Sequence, residues 1–196
     1  MNITSGMSLV TAKWIQEYGG KAVNGKVLDL GCGSKPWKRL LADYPDSPVA
    51  EWVGLDSRPV GEVQADVHEI PLEDRSFDTV LAVHLLQFCI SPLQVVQEAA
   101  RVLKPGGSFV AVTYNTFQDD RSSLFNIKTK GLNDLCVTAG LKPVSLQAAG
   151  NLFENEAENF RSRDKHSFYL PGEFPGWITY LDDAYPNLSC IVATKE

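Results

Sequence analysis

At 196 residues the chain suits a single domain with its own core, and it contains no apolar window long enough to span a bilayer. Its 18 Lys and Arg against 24 Asp and Glu give a net charge of −6, which excludes a global basic field drawing the protein to nucleic acid or an anionic membrane. Cys32, Cys89, Cys136 and Cys190 form no CxxC pair and no His stands at zinc spacing, so neither a metal site nor a redox dithiol is expected.

In chain order, Thr11, Trp14, Ile15 and Tyr18 fall at i, i+3, i+4 and i+7, which predicts a helix ending near Gly19 and Gly20. A strand follows at about 26–30, where Val27, Leu28 and Leu30 suit burial on both faces. It breaks at VLDLGCGSKPW into Gly31 and Gly33, which let the main chain approach a ligand, and Pro36 suits the first turn of a helix. A second apolar run at 51–55, in WVGLDSRP, ends at Asp56, at the separation a βαβ unit needs to set a carboxylate against a ribose. Further short runs predict strands at 77–83 and 107–113, a sixth strand near 143–148 and a last near 188–194. Val96, Ala99, Ala100 and Leu103 after Pro92, and Leu132, Leu135, Cys136 and Ala139 before Gly140, predict the intervening helices. Strands alternating with helices imply a parallel sheet covered on both faces. These residues alone fit either a nicotinamide dinucleotide or an adenosyl cofactor.

The segments GCGSKPW, GLDS, ADVHEIPLEDRSFDTVLAVHLLQF and EAARVLKPGGSFVAVTYN, in this order and spacing, resemble a class I S-adenosylmethionine-dependent methyltransferase of the small, type 11-like kind. The resemblance covers residues 26–115 and continues more loosely to residue 150. It implies an α/β, Rossmann-like, seven-stranded and mostly parallel sheet with helices on both faces. Its last strand would be antiparallel, between the fifth and sixth. It implies one domain over residues 1–196, S-adenosylmethionine as cofactor and S-adenosylhomocysteine as product. Asp29 stands where the family's first-motif acid faces the amino-acid end, with the backbone of Gly31 and Gly33 beneath it. Asp56 would accept from the ribose hydroxyls, with Ser57 beside it. Asp66 would take the exocyclic amine of adenine and the Val67 amide a ring nitrogen. Val83, at the end of the fourth strand, completes the cofactor-binding set. Asp56 and Asp66 could each instead cap a turn, and Asp78 and Glu69 read as solvated or capping. The family's commonest third glycine is replaced by Lys35, whose side chain must point away from the cofactor's cationic end. Trp37 would either shield that end or pack on the sheet.

Methyl transfer from a sulfonium is an in-line displacement, so positioning and exclusion of water dominate. His84, just beyond the fourth strand, is the candidate catalytic base, since imidazole titrates near ~6.5. Gln87, Tyr114 and Asn115 are further candidates for orienting an acceptor; His68 and His166 have weaker positional claims. No Asn or Asp followed by Pro-Pro and an aromatic follows the fourth strand, and no Pro-Cys pair, which speaks against methylation of DNA bases. A small-molecule, lipid or saccharide acceptor is expected. Residues 151–187 are far longer than an ordinary connection of ~4 to 6 residues and carry Phe168, Tyr169, Phe174, Trp177, Tyr180 and Tyr185. As a link between a parallel sixth and an antiparallel seventh strand they would overhang the cofactor edge, as an acceptor pocket or lid, or else close a satellite core or a dimer contact. Rival readings are a nicotinamide-dependent oxidoreductase, a non-catalytic methyltransferase-like partner or cofactor sensor, and an RNA methyltransferase using Arg161, Arg163 and Lys165. The cysteines read as buried hydrophobes of a reducing compartment, and with no leader-like segment the expected location is cytoplasmic.

Overall fold

A computed structural model describes residues 11, 14, 15, 18–43, 46–114, 124–149 and 188–196. Seven strands, β1 (Gly25–Leu30), β2 (Val49–Asp56), β3 (Val63–Gln64), β4 (Phe77–Val83), β5 (Leu103–Tyr114), β6 (Leu141–Ala149) and β7 (Leu188–Lys195), form one sheet in the order β3-β2-β1-β4-β5-β7-β6. Strands β1 to β5 pair in parallel, and β7 runs antiparallel to both β5 and β6. The α/β, Rossmann-like architecture with an antiparallel last strand is thus the one expected from the sequence. The order reverses direction between β1 and β4, and at such a switch point open α/β sheets bind ligands beyond the carboxyl ends of their strands.

Side chains alternate between two cores, as the period of two in a strand requires. On one face Leu28, Leu30, Val80, Ala82, Phe109 and Ala111 meet α2 (Pro92–Val102) and α3 (Thr129–Thr138). On the other, Val27, Leu81, Val83, Val110 and Val112 meet Trp14, Ile15 and Leu41, the last on α1 (Pro36–Leu41). Helix α2 starts cleanly because the Ser91 side chain accepts from the Gln94 amide and Pro92 fills the first turn. The stripe expected to carry that helix to Leu103 stops one residue short. Leu103 is extended and opens β5, because Pro105 disfavours helical backbone at Lys104.

Of the first expected helix, Thr11, Trp14 and Ile15 are buried, and the Tyr18 amide donates to the Trp14 carbonyl. A 3-10 turn then spans Gly19–Ala22, past the glycines expected to end the helix. Asp78, expected to be solvated or capping, is a structural tie: one oxygen accepts from the Lys26 amide at 2.8 Å, the other from Lys104 Nζ at 2.7 Å. All four cysteines are buried free thiols. No helix among the described residues is long and apolar enough to cross a membrane. Residues 151–187, with the aromatic cluster and the basic residues 161, 163 and 165, and also His166 and Asn115, lie outside the described residues.

Candidate cofactor site

Four consecutive strands of the sheet end side by side and present polar groups in a row. Asp66 follows β3, Asp56 ends β2, Gly31 follows β1 and His84 follows β4. With neighbouring strands ~4.8 Å apart, this row spans roughly 14 Å, a length suited to an extended nucleoside-amino-acid conjugate.

The turn after β1 is fixed by backbone bonds to β2. The amides of Gly31 and Cys32 both donate to the Leu55 carbonyl, at 2.8 and 3.1 Å, and the Gly33 amide donates to Asp56 Oδ2 at 3.0 Å. Gly31 has φ +66, which favours glycine, and a Cβ there would stand 2.9 Å from Leu85 Cδ1, so that side chain would also have to shift. A Cβ on Gly33 would meet nothing nearer than Arg58 Nη2 at 3.8 Å, leaving the open face a ligand requires. Gly33, Ser34, Lys35, Arg58 and Val60 line an open depression of about 480 Å³ beside this turn.

Lys35 occupies the third-glycine position in the left-handed conformation that glycine would take freely, at φ +56. Its ammonium pairs with Glu62, and Glu62 also accepts from the Gly54 amide at 2.6 Å. The side chain is directed toward the β2–β3 end of the site. Trp37 packs partly buried against the core on the α1 face.

Asp29 is 1% exposed, and its Oδ2 has no hydrogen-bond partner among the described residues. Burial pushes its pKa up from 3.8 to about 7. The Trp52 indole and the Lys35 charge offset part of this rise, while Glu62 and Asp56 add to it. The indole lies near enough to act electrostatically but outside hydrogen-bond geometry. A buried carboxyl oxygen with an unfilled lone pair is the feature an ammonium group would complete.

Asp56 is 5% exposed and fully engaged. Oδ1 accepts from the Arg58 amide at 3.0 Å and Arg58 Nε at 3.1 Å; Oδ2 accepts from Gly33 and, at 3.4 Å, from Arg58 Nη2. Burial would raise its pKa, but the Arg58 side-chain and backbone donors and the Gly33 amide outweigh it and hold the carboxyl below its usual range. The acid therefore does cap the following turn, through the Arg58 amide, while facing the ligand edge. Ser57 is exposed beside it, its carbonyl accepting from Gln64 Nε2.

Asp66 also caps: Oδ1 accepts from the His68 amide at 2.9 Å and from His68 Nδ1 at 2.6 Å, and these bonds hold its pKa low. His68 Nε2 accepts from the Ser91 amide, which assigns the proton to Nδ1 and makes the ring a strut between the loop after β3 and the start of α2. Both bonds fall on Oδ1, so Oδ2 is the oxygen suited to an amine. Val67 is half-buried against the α2 core.

Val83 is buried at the end of β4, opposite Val112. His84 follows in the left-handed region at φ +55, its amide donating to the Val112 carbonyl at 2.7 Å and its Nε2 2.8 Å from Thr11 Oγ1. Burial lowers its pKa to about 4, so the ring is neutral at pH 7. Gln87 is fully buried; its Oε1 accepts from Thr113 Oγ1, its Nε2 has no partner among the described residues, and its backbone carbonyl accepts from the Leu124 and Phe125 amides. The sequence reading missed Arg58 and Glu62, which hold Asp56 and Lys35. The signals available were an Arg two residues past Asp56 and a lone Glu after Gly61 in the segment before β3. Among the described residues no His, Cys, Asp and Glu cluster could hold a metal ion.

A sheet in this order, with a glycine turn after β1 and an acid ending β2, is a Rossmann-like α/β fold with an antiparallel last strand. Comparison with known proteins agrees: residues 28–111 match the family described as "Methyltransferase domain". The malonyl-[acyl-carrier protein] O-methyltransferase of Marinomonas sp. is 47% identical over 100 residues, 44% of this chain and 37% of the relative. The phosphatidylethanolamine N-methyltransferase of Cereibacter sphaeroides is 41% identical over 118 residues, 53% and 56% of the two chains. Among solved structures, a SAM-dependent methyltransferase from Archaeoglobus fulgidus superposes with a TM-score of 0.69 over 94% of this chain and 93% of that one, at 16% identity, a likeness of fold. Over residues 28–111 the chain is thus similar to methyltransferase domains, and its sheet shares the fold of the solved methyltransferase. It spans between 28% and 56% of the length of the curated relatives it matches.

Proposed function

We propose that this protein transfers the methyl group of S-adenosylmethionine to a small-molecule, lipid or saccharide acceptor at the carboxyl edge of β4 and β5. The observation that carries this reading is the row of acids along the sheet edge, above all the unfilled, buried Oδ2 of Asp29. In it Asp29 holds the ammonium of the cofactor, the Gly31–Gly33 turn passes beneath the amino-acid end, and Asp56 with Ser57 addresses the ribose. Asp66 and Val67 address adenine, and Val83 lies at the methyl end. The bound cofactor supplies an electrophilic methyl on a positively charged sulfur. The protein's part is to hold the acceptor in line and keep water away.

His84 faces that methyl end. Neutral at pH 7 and within hydrogen-bond distance of Thr11, it is suited to orient an acceptor hydroxyl or amine by hydrogen bonding, while a pKa lowered to about 4 makes it a weak proton acceptor. The acceptors named for the relatives, malonyl-[acyl-carrier protein] for an O-methyltransferase and phosphatidylethanolamine for an N-methyltransferase, support a biosynthetic acceptor and leave oxygen and nitrogen both in range.

The test is methyl transfer from radiolabelled S-adenosylmethionine to a panel of carboxylic acids, phenols, amines, phospholipids and sugar derivatives. Label is expected in one chemical class, abolished by Asp56→Ala and reduced by His84→Ala. No transfer to any class by protein that binds the cofactor would instead favour a cofactor-sensing role.

A further inference from the structure

The Asp56 carboxylate has room for four hydrogen bonds, two at each oxygen, and all four are made. Two come from backbone amides, those of Gly33 and Arg58, and are locked by the turn. The other two come from the Arg58 side chain, Nε on Oδ1 and Nη2 on Oδ2, one donor to each oxygen. A ribose diol offers a carboxylate the same thing, two donors a short distance apart, one to each oxygen. The Arg58 side chain is 68% exposed, so it can swing away without disturbing the core, and with Lys35 and Val60 it lines the open depression beside the turn.

We propose that Arg58 is an internal competitor for the ribose subsite, a latch that a ligand must displace with both hydroxyls. The proposal rests on the reading of Asp56 as the ribose acid. While the latch is closed the site cannot take a diol, so the apparent dissociation constant is the intrinsic one divided by the open fraction. The latch also acts as a filter: a sugar with one hydroxyl replaces only one of the two guanidinium bonds and leaves an acceptor site on a buried carboxylate unfilled. Because the latch is an ion pair at the surface, salt weakens it, and binding of a neutral nucleoside tightens as salt rises, the reverse of ordinary electrostatic attraction.

The test is calorimetric titration of the full chain, Arg58→Ala, Asp56→Ala and the double variant with S-adenosylhomocysteine, adenosine and 2′-deoxyadenosine, at low and high salt. Arg58→Ala is expected to bind S-adenosylhomocysteine and adenosine more tightly by a common factor of about 3 to 5, the range of an exposed ion pair. 2′-Deoxyadenosine is expected to gain less, and the salt-induced tightening is expected to vanish. In the Asp56→Ala background, removing Arg58 is expected to change nothing. Unchanged or weaker binding by Arg58→Ala would overturn the latch and make Arg58 a positioning residue. A gain for cationic S-adenosylmethionine without one for neutral adenosine would also overturn it, assigning the effect to charge repulsion. If neither wild type nor Arg58→Ala, both folded by circular dichroism, binds S-adenosylhomocysteine, the ribose reading of Asp56 fails, and the latch with it.

Discussion

Replacing Asp29 by asparagine should separate folding from cofactor binding, because this carboxyl carries a cost in the first and serves the second. Its pKa is 3.8 when unperturbed and about 7 in the fold. Between those values the native state binds more protons than the unfolded state, so the Asp29 contribution falls as pH rises and levels off above about 7. Integrated from about pH 5 to about pH 8, the loss is roughly 2 to 3 kcal/mol. His84 works in the opposite direction. Its pKa falls from 6.5 to about 4, so the unfolded state binds more protons in that range and stability is lost as pH falls. The two nearly cancel in the wild-type profile, and only the difference between Asp29→Asn and wild type isolates the carboxyl. Urea unfolding at about pH 5 and about pH 8 should show the variant gaining roughly 2 to 3 kcal/mol on wild type between the two. The same variant should bind S-adenosylhomocysteine at least about 10-fold more weakly at pH 8, having lost a charge-assisted bond to the ammonium. A stability difference independent of pH would refute the raised pKa. A stabilised variant with undiminished affinity would refute the ammonium role.

Gly31→Ala meets both a left-handed backbone and the Leu85 side chain, and should lower stability by about 1 to 3 kcal/mol in thermal or urea unfolding. Lys35→Gly should do the reverse: relief at φ +56 outweighs a partly exposed pair with Glu62, for a gain of up to about 1 kcal/mol. Wild-type affinity for S-adenosylhomocysteine should decline from about pH 7 to about pH 5, by at most about tenfold per pH unit, as Asp29 takes up a proton. Asp29→Asn should flatten that decline in the same titrations. Gln87→Met keeps the volume, loses the Thr113 bond and removes an unpaired buried amide, and should shift stability by less than about 1.5 kcal/mol in urea unfolding.

The fold was legible because most of its strands announce themselves as apolar runs ended by Gly, Pro, Asp or Ser. The expected runs at 26–30 and 77–83 lie within or coincide with β1 and β4. Strand β3 was not read, since Val63–Gln64 is two residues long and holds its place by pairing with Leu55 and Asp56, a relation between segments that no local pattern carries. The acids at positions 29 and 56 could be named because each stands near the end of a readable apolar run, whereas Asp66, after the unread β3, was named from the family resemblance. What each does with its lone pairs could not be read. The capping of Arg58 by Asp56 and of His68 by Asp66 depends on the turn each acid adopts. The low pKa of His84 comes from its burial, and its ring nitrogen meets Thr11, 73 residues away in sequence. Lys35 was expected to point away from the cationic end of the cofactor, and its pairing with Glu62 turns it toward β2 and β3.

The central claim is that the carboxyl edge of β1 and β2 binds S-adenosylmethionine through Asp56. It is tested most directly by calorimetric titration of the full chain with S-adenosylhomocysteine, with Asp56→Ala alongside and a nicotinamide dinucleotide as competitor. Saturable binding is expected, unaffected by the dinucleotide and weakened about 10-fold or more by the substitution, in keeping with the loss of charged hydrogen bonds. Displacement by the dinucleotide, or equal affinity in wild type and Asp56→Ala, would contradict it.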